Sequence, residues 1–209
     1  HKVDNLTIDL QASDATTLGL GGTIGVKTLT SKRVPATDHS SAAIAASDIK
    51  INGENAFSAN FTADIDGTQG DGAGQTATAI NLNTGVHGAV ADAFNVVTSK
   101  AKGDFNMTTT FTINSNTVAL ASSYSELVSN INESVSGLDA VLNADNTVTL
   151  ANNDGDQIVI SSATGTTDVG FTAGTYRGFV SLSNIDGSAV TIEAGNPKNG
   201  YGSSAAGTH

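Results

Sequence analysis

Four histidines, His1, His39, His87 and His209, have the widest chemical repertoire in this chain, and their spacing withholds it. Metal ligation and base catalysis need such side chains grouped, and no His-x-x-x-His, Ser-His-Asp or Cys-His arrangement is readable. His87 lies in "VHGAVADAFNVVT" (86–98), where alternation places Val86, Val90, Phe94 and Val96 on one strand face. On that reading His87 points outward as a surface imidazole. Asp64, Asp66 and Asp71 stand in the glycine-rich "ADIDGTQGDGAGQ" (63–75), a composition that suits calcium, but the spacing departs from the EF-hand loop. A solvated loop is the expectation. "LGLGG" (18–22) lacks the spacing, lysine and following helix of a phosphate loop. Asn5, Asn60, Asn106 and Asn132 open N-x-S/T strings, which a chain so rich in Asn and Thr produces by chance. No catalytic, cofactor-binding or metal residue is expected.

Composition narrows the classes further. Nine basic and twenty acidic residues give a net charge of −11, and nucleic-acid binding by counterion release needs the opposite balance. Anionic membrane surfaces are disfavoured for the same reason. There is no cysteine, so neither a disulfide framework nor thiol chemistry is available. No run of about 18 apolar residues marks a membrane span. Gly, Ser, Thr, Ala and Asn dominate, yet Val, Ile and Thr are frequent enough for strands. The natural product is many short strands joined by Gly/Asn/Asp turns.

The elements that would position any site are legible in places. "VDNLTIDL" (3–10) alternates as a half-buried strand, "SDATTLGLGG" (13–22) is a turn-rich crossing, and "SKRVPATDHSSAAIAAS" (31–47) reads as a connection. Asn52-Gly53-Glu54-Asn55 supplies hairpin chemistry between Ile49/Ile51 and Phe57. "TATAINLN" (76–83) holds one or two helical turns. "KAKGD" (100–104) punctuates the chain. Phe105, Met107, Phe111 and Ile113 then alternate with polar residues, and "NSNT" turns the chain back into Val118 and Leu120. Ser123-x-x-Glu126 forms a capping box before Tyr124, Leu127, Val128 and Ile131, one helical stripe. Strands are expected over 138–142, 147–150 and 157–161.

That order, ββαβββ, occurs twice. Ile51-Asn52 matches Ile113-Asn114, Ile80-Asn81 matches Ile131-Asn132, and Thr84-Gly85-Val86 matches Ser136-Gly137-Leu138. The first copy is looser and its helix weaker.

The unit at 111–161 resembles the flagellin IN motif, named for its Ile-Asn pairs: here Ile113-Asn114, Ile131-Asn132, Gly137-Leu138 and the closing "QIVI" (157–160). "ING" (51–53) with "AIN" (79–81) is similar to a second copy. "NLTIDLQASDATTLGL" (5–20) and "GFTAGTYRGFVSLSNIDGSAVTIEAG" (170–195) resemble the flagellin segments that leave and re-enter the inner domain. Ser115 departs from the glycine the motif prefers, and the 63–75 loop is long. The resemblance implies the surface-exposed middle of a bacterial flagellin, a fragment of a longer protein without the terminal polymerising helices. The expected fold is β-rich α+β: two small β-dominated domains, each with a short helix packed on a sheet. Residues 1–47 are expected to form a lead-in strand and crossing, and 48–103 a first outer domain completed by 166–209. Residues 104–165 are expected to form a second outer domain at the tip. Function is then structural: motility and antigenic surface outside the cell, on the flagellum. Its partners would be other flagellin subunits and host antibodies, and the isolated chain would be a monomer. The alternatives are a filament-cap (hook-associated) protein, which also carries IN motifs, and a glycan-binding adhesin module. Three Tyr and no Trp make a poor sugar platform for the latter.

Overall fold

The computed structural model describes residues 28–34, 45–60, 72–193 and 207–208. Within them the protein is a β-rich α+β structure in which short strands dominate. The expected strand at 3–10, the crossing at 13–22, residues 63–71 of the glycine-rich loop with Asp64, Asp66 and Asp71, and His1, His39 and His209 lie outside the described residues; the last four residues of that expected loop, 72–75, are helical instead.

The chain runs β1 (Leu29–Thr30), β2 (Lys50–Ile51), β3 (Glu54–Asn55), α1 (Gly72–Asn81), α2 (Thr84–His87) and β4 (Ala89–Thr98). A compact run follows: β5 (Phe111–Ile113), β6 (Asn116–Val118), α3 (Tyr124–Ser134), β7 (Asp139–Leu142), β8 (Val148–Asn152) and β9 (Ile158–Ser161). It ends with α4 (Ala163–Asp168), β10 (Gly174–Tyr176), β11 (Phe179–Asn184), β12 (Thr191–Glu193) and β13 (Gly207–Thr208). Three antiparallel sheets result, in the orders β1-β11-β4-β8-β7, β10-β9-β5-β6 and β13-β12-β2-β3.

These orders describe one module nested in another. In the second module β5 pairs with β6 and β9, β7 pairs with β8, and α3 packs on β7. In the first, β2 pairs with β3 and β12, β4 pairs with β11, and α1 packs on β4 and β11. The β7–β8 connection is a short turn, whereas the β4–β11 connection contains the whole second module. Two buried clusters follow this division, one around Ile49, Ile51, Ile80 and Leu182, the other around Phe111, Leu127, Ile131 and Leu150. They meet on a single strand. The first half of β4 pairs with β11 (Ala89 to Phe94) and the second half with β8 (Asn95 to Thr98).

The best-formed helix has the cause its sequence suggests. The Ser123 hydroxyl accepts from the Glu126 N–H at 3.2 Å, and Tyr124, Leu127 and Ile131 are buried on one face. Burial of each large aliphatic side chain contributes about 1.5–3 kcal/mol, enough to hold a three-turn helix that is marginal alone. The Glu126 carboxylate reaches back to the N–H and hydroxyl of Ser122, one residue earlier than a standard capping box requires.

Three expectations need correction. The inward face of β4 is Ala89, Ala91, Asn95 and Val97, not Val90, Phe94 and Val96. Small side chains face inward because α1, itself carrying buried Ala73 and Ala77, lies close against them. The larger ones serve the opposite face, where Phe94 stacks on Phe179 at 5.3 Å. Residues 105–110 form no strand; Phe105 and Met107 lean on the second core instead, with Phe105 edge-on to Tyr124 at 4.8 Å. Leu120 does not continue β6 and is 53% exposed, because the chain has already left the sheet for the helix cap.

Candidate functional site: asparagine clasps and the joint between modules

The four Ile-Asn pairs share one chemistry, and it is peptide mimicry. A primary amide offers one N–H side and one C=O side, as a backbone peptide does. Asn132 Nδ2 donates to the Ala140 carbonyl at 3.0 Å, and its Oδ1 accepts from the Ala140 N–H at 2.7 Å. Asn81 repeats this on Ala91, at 2.8 Å both ways. Each side chain therefore acts as a one-residue strand on the outer edge of β7 or β4, while the preceding Ile131 or Ile80 fills the core beneath.

The other two asparagines clasp a different edge. Asn114 and Asn52 sit at positive φ (48° and 54°), opening two-residue hairpin turns of the kind that needs left-handed backbone. Asn114 N–H donates to the Val159 carbonyl at 2.9 Å, and Val159 N–H returns a 2.8 Å bond to Asn114 Oδ1. Asn52 does the same with Thr191, at 2.9 and 3.0 Å. Both extend by one step the ladder that joins the module's opening hairpin to its closing strand.

A third recurrence was not drawn from the sequence, although its signal is plain once seen. Asn152-Asn153-Asp154-Gly155 and Asn184-Ile185-Asp186-Gly187 occupy the same turn of the two modules. Asp154 and Asp186 each accept from the backbone N–H two residues on, and each glycine has positive φ. The string N-x-D-G was available as a marker of the copy. One matched pair was wrong: Gly137 corresponds to Gly88, not Gly85. Both have left-handed φ (76° and 73°), and both lie three residues before the clasped alanine. Asn81 and Ala91 are ten residues apart where Asn132 and Ala140 are eight. The two extra residues of the first copy are taken up in α2.

His87 ends α2 and is 3% exposed, so the surface histidine expected there is a core one. It entered the core because Val86 and His87 belong to α2 rather than to β4. Burial pushes its pKa below the ordinary value, with backbone bonds to Ile80 and Ala56 acting in the other direction.

The joint between modules is the other built feature. Asn95, fully buried on β4, donates to the carbonyls of Asp156 at 2.8 Å and Tyr176 at 2.7 Å. Its Oδ1 accepts from Arg33 at 2.7 Å. The Arg33 guanidinium also donates to the carbonyls of Arg177 and Val96, and lies 4.5 Å from the Phe179 ring centre and 5.4 Å from that of Tyr176. Burial lowers its pKa, against a smaller opposite effect of Tyr176. On the far side, a Cβ at Gly155 would stand 2.7 Å from Ala93 Cβ and 2.9 Å from Ala73 Cβ, so α1 touches the second module only because Gly155 has none. Neither Arg33 nor Asn95 was singled out from sequence.

The remaining perturbed acids do turn and cap work. Glu126 is lowered by Ser122, Asp145 by Thr147, Asp168 by Thr108 and Asp186 by Ser188, in each case through hydrogen bonds. Among the described residues no three His, Cys, Asp or Glu stand close enough to hold a metal ion, and no helix is long and apolar enough to cross a membrane. Of the N-x-S/T asparagines, Asn132 is committed to Ala140 and Asn60 accepts from the Ala46 N–H at 3.2 Å. Asn106 is exposed, and Asn5 lies outside the described residues. Compared with known proteins, the chain matches no family model and no curated protein.

Proposed function

We propose that the chain is a structural surface region of a bacterial flagellin, exposed outside the cell on the flagellar filament and catalysing nothing. The observation that carries this reading is the nested pair of Ile-Asn modules. The same two asparagine clasps recur in each copy, and they hold shape without presenting a reactive group. A second support is the single strand, β4, that serves both modules and is clamped by Arg33. Such a joint makes a stiff projection rather than two beads on a linker. A net charge of −11 keeps closely spaced copies mutually repelling and soluble.

The test is immunogold labelling of intact cells with antibodies raised against the purified chain. Label along the whole length of the filaments is the expected result. Label confined to filament tips would assign the chain to a cap protein. Label on the cell body would assign it to a surface adhesin.

A further inference from the structure

His87 closes the corner between α1 and β4, and its geometry admits one protonation state. Nδ1 accepts from the Ala89 N–H at 3.1 Å, and Nε2 lies 3.1 Å from the Ile80 carbonyl oxygen. A backbone N–H can only donate and a carbonyl can only accept. The ring is therefore neutral, with its proton on Nε2 and a bare Nδ1. The backbone of the same residue is also engaged, since Asn52 Nδ2 donates to the His87 carbonyl at 2.8 Å. Latch and hairpin clasp are thus one network.

A proton added at Nδ1 would face the Ala89 N–H directly in place of the lost lone pair, and the carbonyls of Ile80 and Ala56, which favour the charged ring, are outweighed by burial. No neighbouring charge offsets this. Helix α1 has no ionisable residue. The other packed elements carry Lys50 on β2, Glu54 on β3, Asp92 on β4, Glu193 on β12 and Asp186 in the β11–β12 turn. Only backbone groups and burial act on the ring, and the Asp186 carboxylate is held by the Ser188 N–H at 2.9 Å. The same corner already exposes Leu82 (75%), Val86 (58%) and Ile185 (70%). Opening it would add Ile80 and Ala89 to that apolar surface. The second module has Ser136 before its Gly137 and lacks the device.

We propose that His87 is an acid-released latch: protonation of its Nδ1 opens the α2 corner of the first module and exposes apolar surface there, while the second module stays closed. The sign follows from the direction of the shift. A histidine held neutral contributes stability that is fully present above about pH 6.5 and is lost as pH falls through the lowered folded value.

The experiment is residue-resolved amide exchange on the full chain between pH 7.5 and 4.5, corrected for intrinsic exchange, with the His87 ring followed by NMR. His1, His39 and His209 are changed to Gln to isolate its signal. The ring should titrate below 6.5. Protection at Gly88 and Ala89 should fall by up to tenfold per pH unit while Gly137 and Leu138 hold. His87→Gln should remove the pH dependence at Gly88 and Ala89; if that variant does not fold, the ring titration and wild-type exchange decide alone. A ring that titrates at or above 6.5 would overturn the proposal. So would protection at Ala89 that is unchanged with pH, or a parallel loss at Leu138.

Discussion

The two modules share a plan and differ in how firmly it is filled. Among the described residues, five of the fourteen buried in the first core are alanine, against one of sixteen in the second, so those of the second remove more apolar area from water per residue. Helix α3 is capped by the Ser123 side chain; α1 is built from Gly, Ala, Thr and Gln around a single large core residue, Ile80. The second module is also contiguous, closing its hairpin between Leu142 and Val148, while the first must find β11 after the whole insertion. Long closure slows pairing more than it destabilises the product. The difference teaches that the Ile-Asn clasps set the shape, and the side chains beneath them set the stability.

The largest effect should come from breaking the stronger module. Leu127→Asp places a carboxylate in a fully buried site with no basic neighbour among the core residues, at a cost of at least about 4 kcal/mol. Circular dichroism and calorimetry should show the second module unfolded at temperatures where the parent chain is folded, with a correspondingly smaller unfolding enthalpy. An unchanged melting curve would mean that the stripe is not the buried face.

A smaller effect, about 2 kcal/mol, is expected from Arg33→Ala, which removes charged hydrogen bonds and leaves the Asn95 oxygen without its donor. It acts on the joint rather than on either core. Thermal unfolding that is a single transition in the parent chain should separate into two, the first module melting earlier. A uniformly lowered single transition would place Arg33 within one core instead.

The smallest concerns the hairpin turns. Ser115 holds φ at 66°, where the first module has Gly53 at 84°. A side chain in left-handed backbone costs about 1–2 kcal/mol, which glycine avoids. Ser115→Gly should therefore raise stability by about 1 kcal/mol, and Gly53→Ser should lower it by a similar amount, since open space surrounds that Cβ site. Denaturant midpoints measure both, and a stabilising Gly53→Ser would contradict the assigned turn.

What the sequence made legible was whatever repeats locally. The α3 stripe, its serine cap, the Asn-x hairpin turns and the Ile-Asn pairs are short-range patterns with a fixed period or spacing. Each could be placed before its partners were known. The face of β4 was not legible, because its inward residues include two alanines and an asparagine, and reading the larger Val and Phe as the core inverted it. His87 was misplaced for a related reason: two added residues turned the start of the expected strand into α2. Arg33 and Asn95 were invisible because their partners lie 61 to 144 residues away, and no local pattern announces such a contact. The roles of Asn81 and Asn132 were hidden as well. Their recurrence was plain, but only the edges of β4 and β7 show why an amide stands there.

Each module is closed by its own asparagine amide acting as a strand. That closure is tested most directly by hydrogen exchange at Ala91 and Ala140 in the Asn132→Ala variant of the full chain. Loss of the amide removes the Asn132 oxygen that accepts from the Ala140 N–H, and about 1–1.5 kcal/mol corresponds to roughly a tenfold rise in its exchange rate. Ala91, held by Asn81, should keep its parent rate. Unaltered protection at Ala140, or an equal rise at Ala91, would contradict the account.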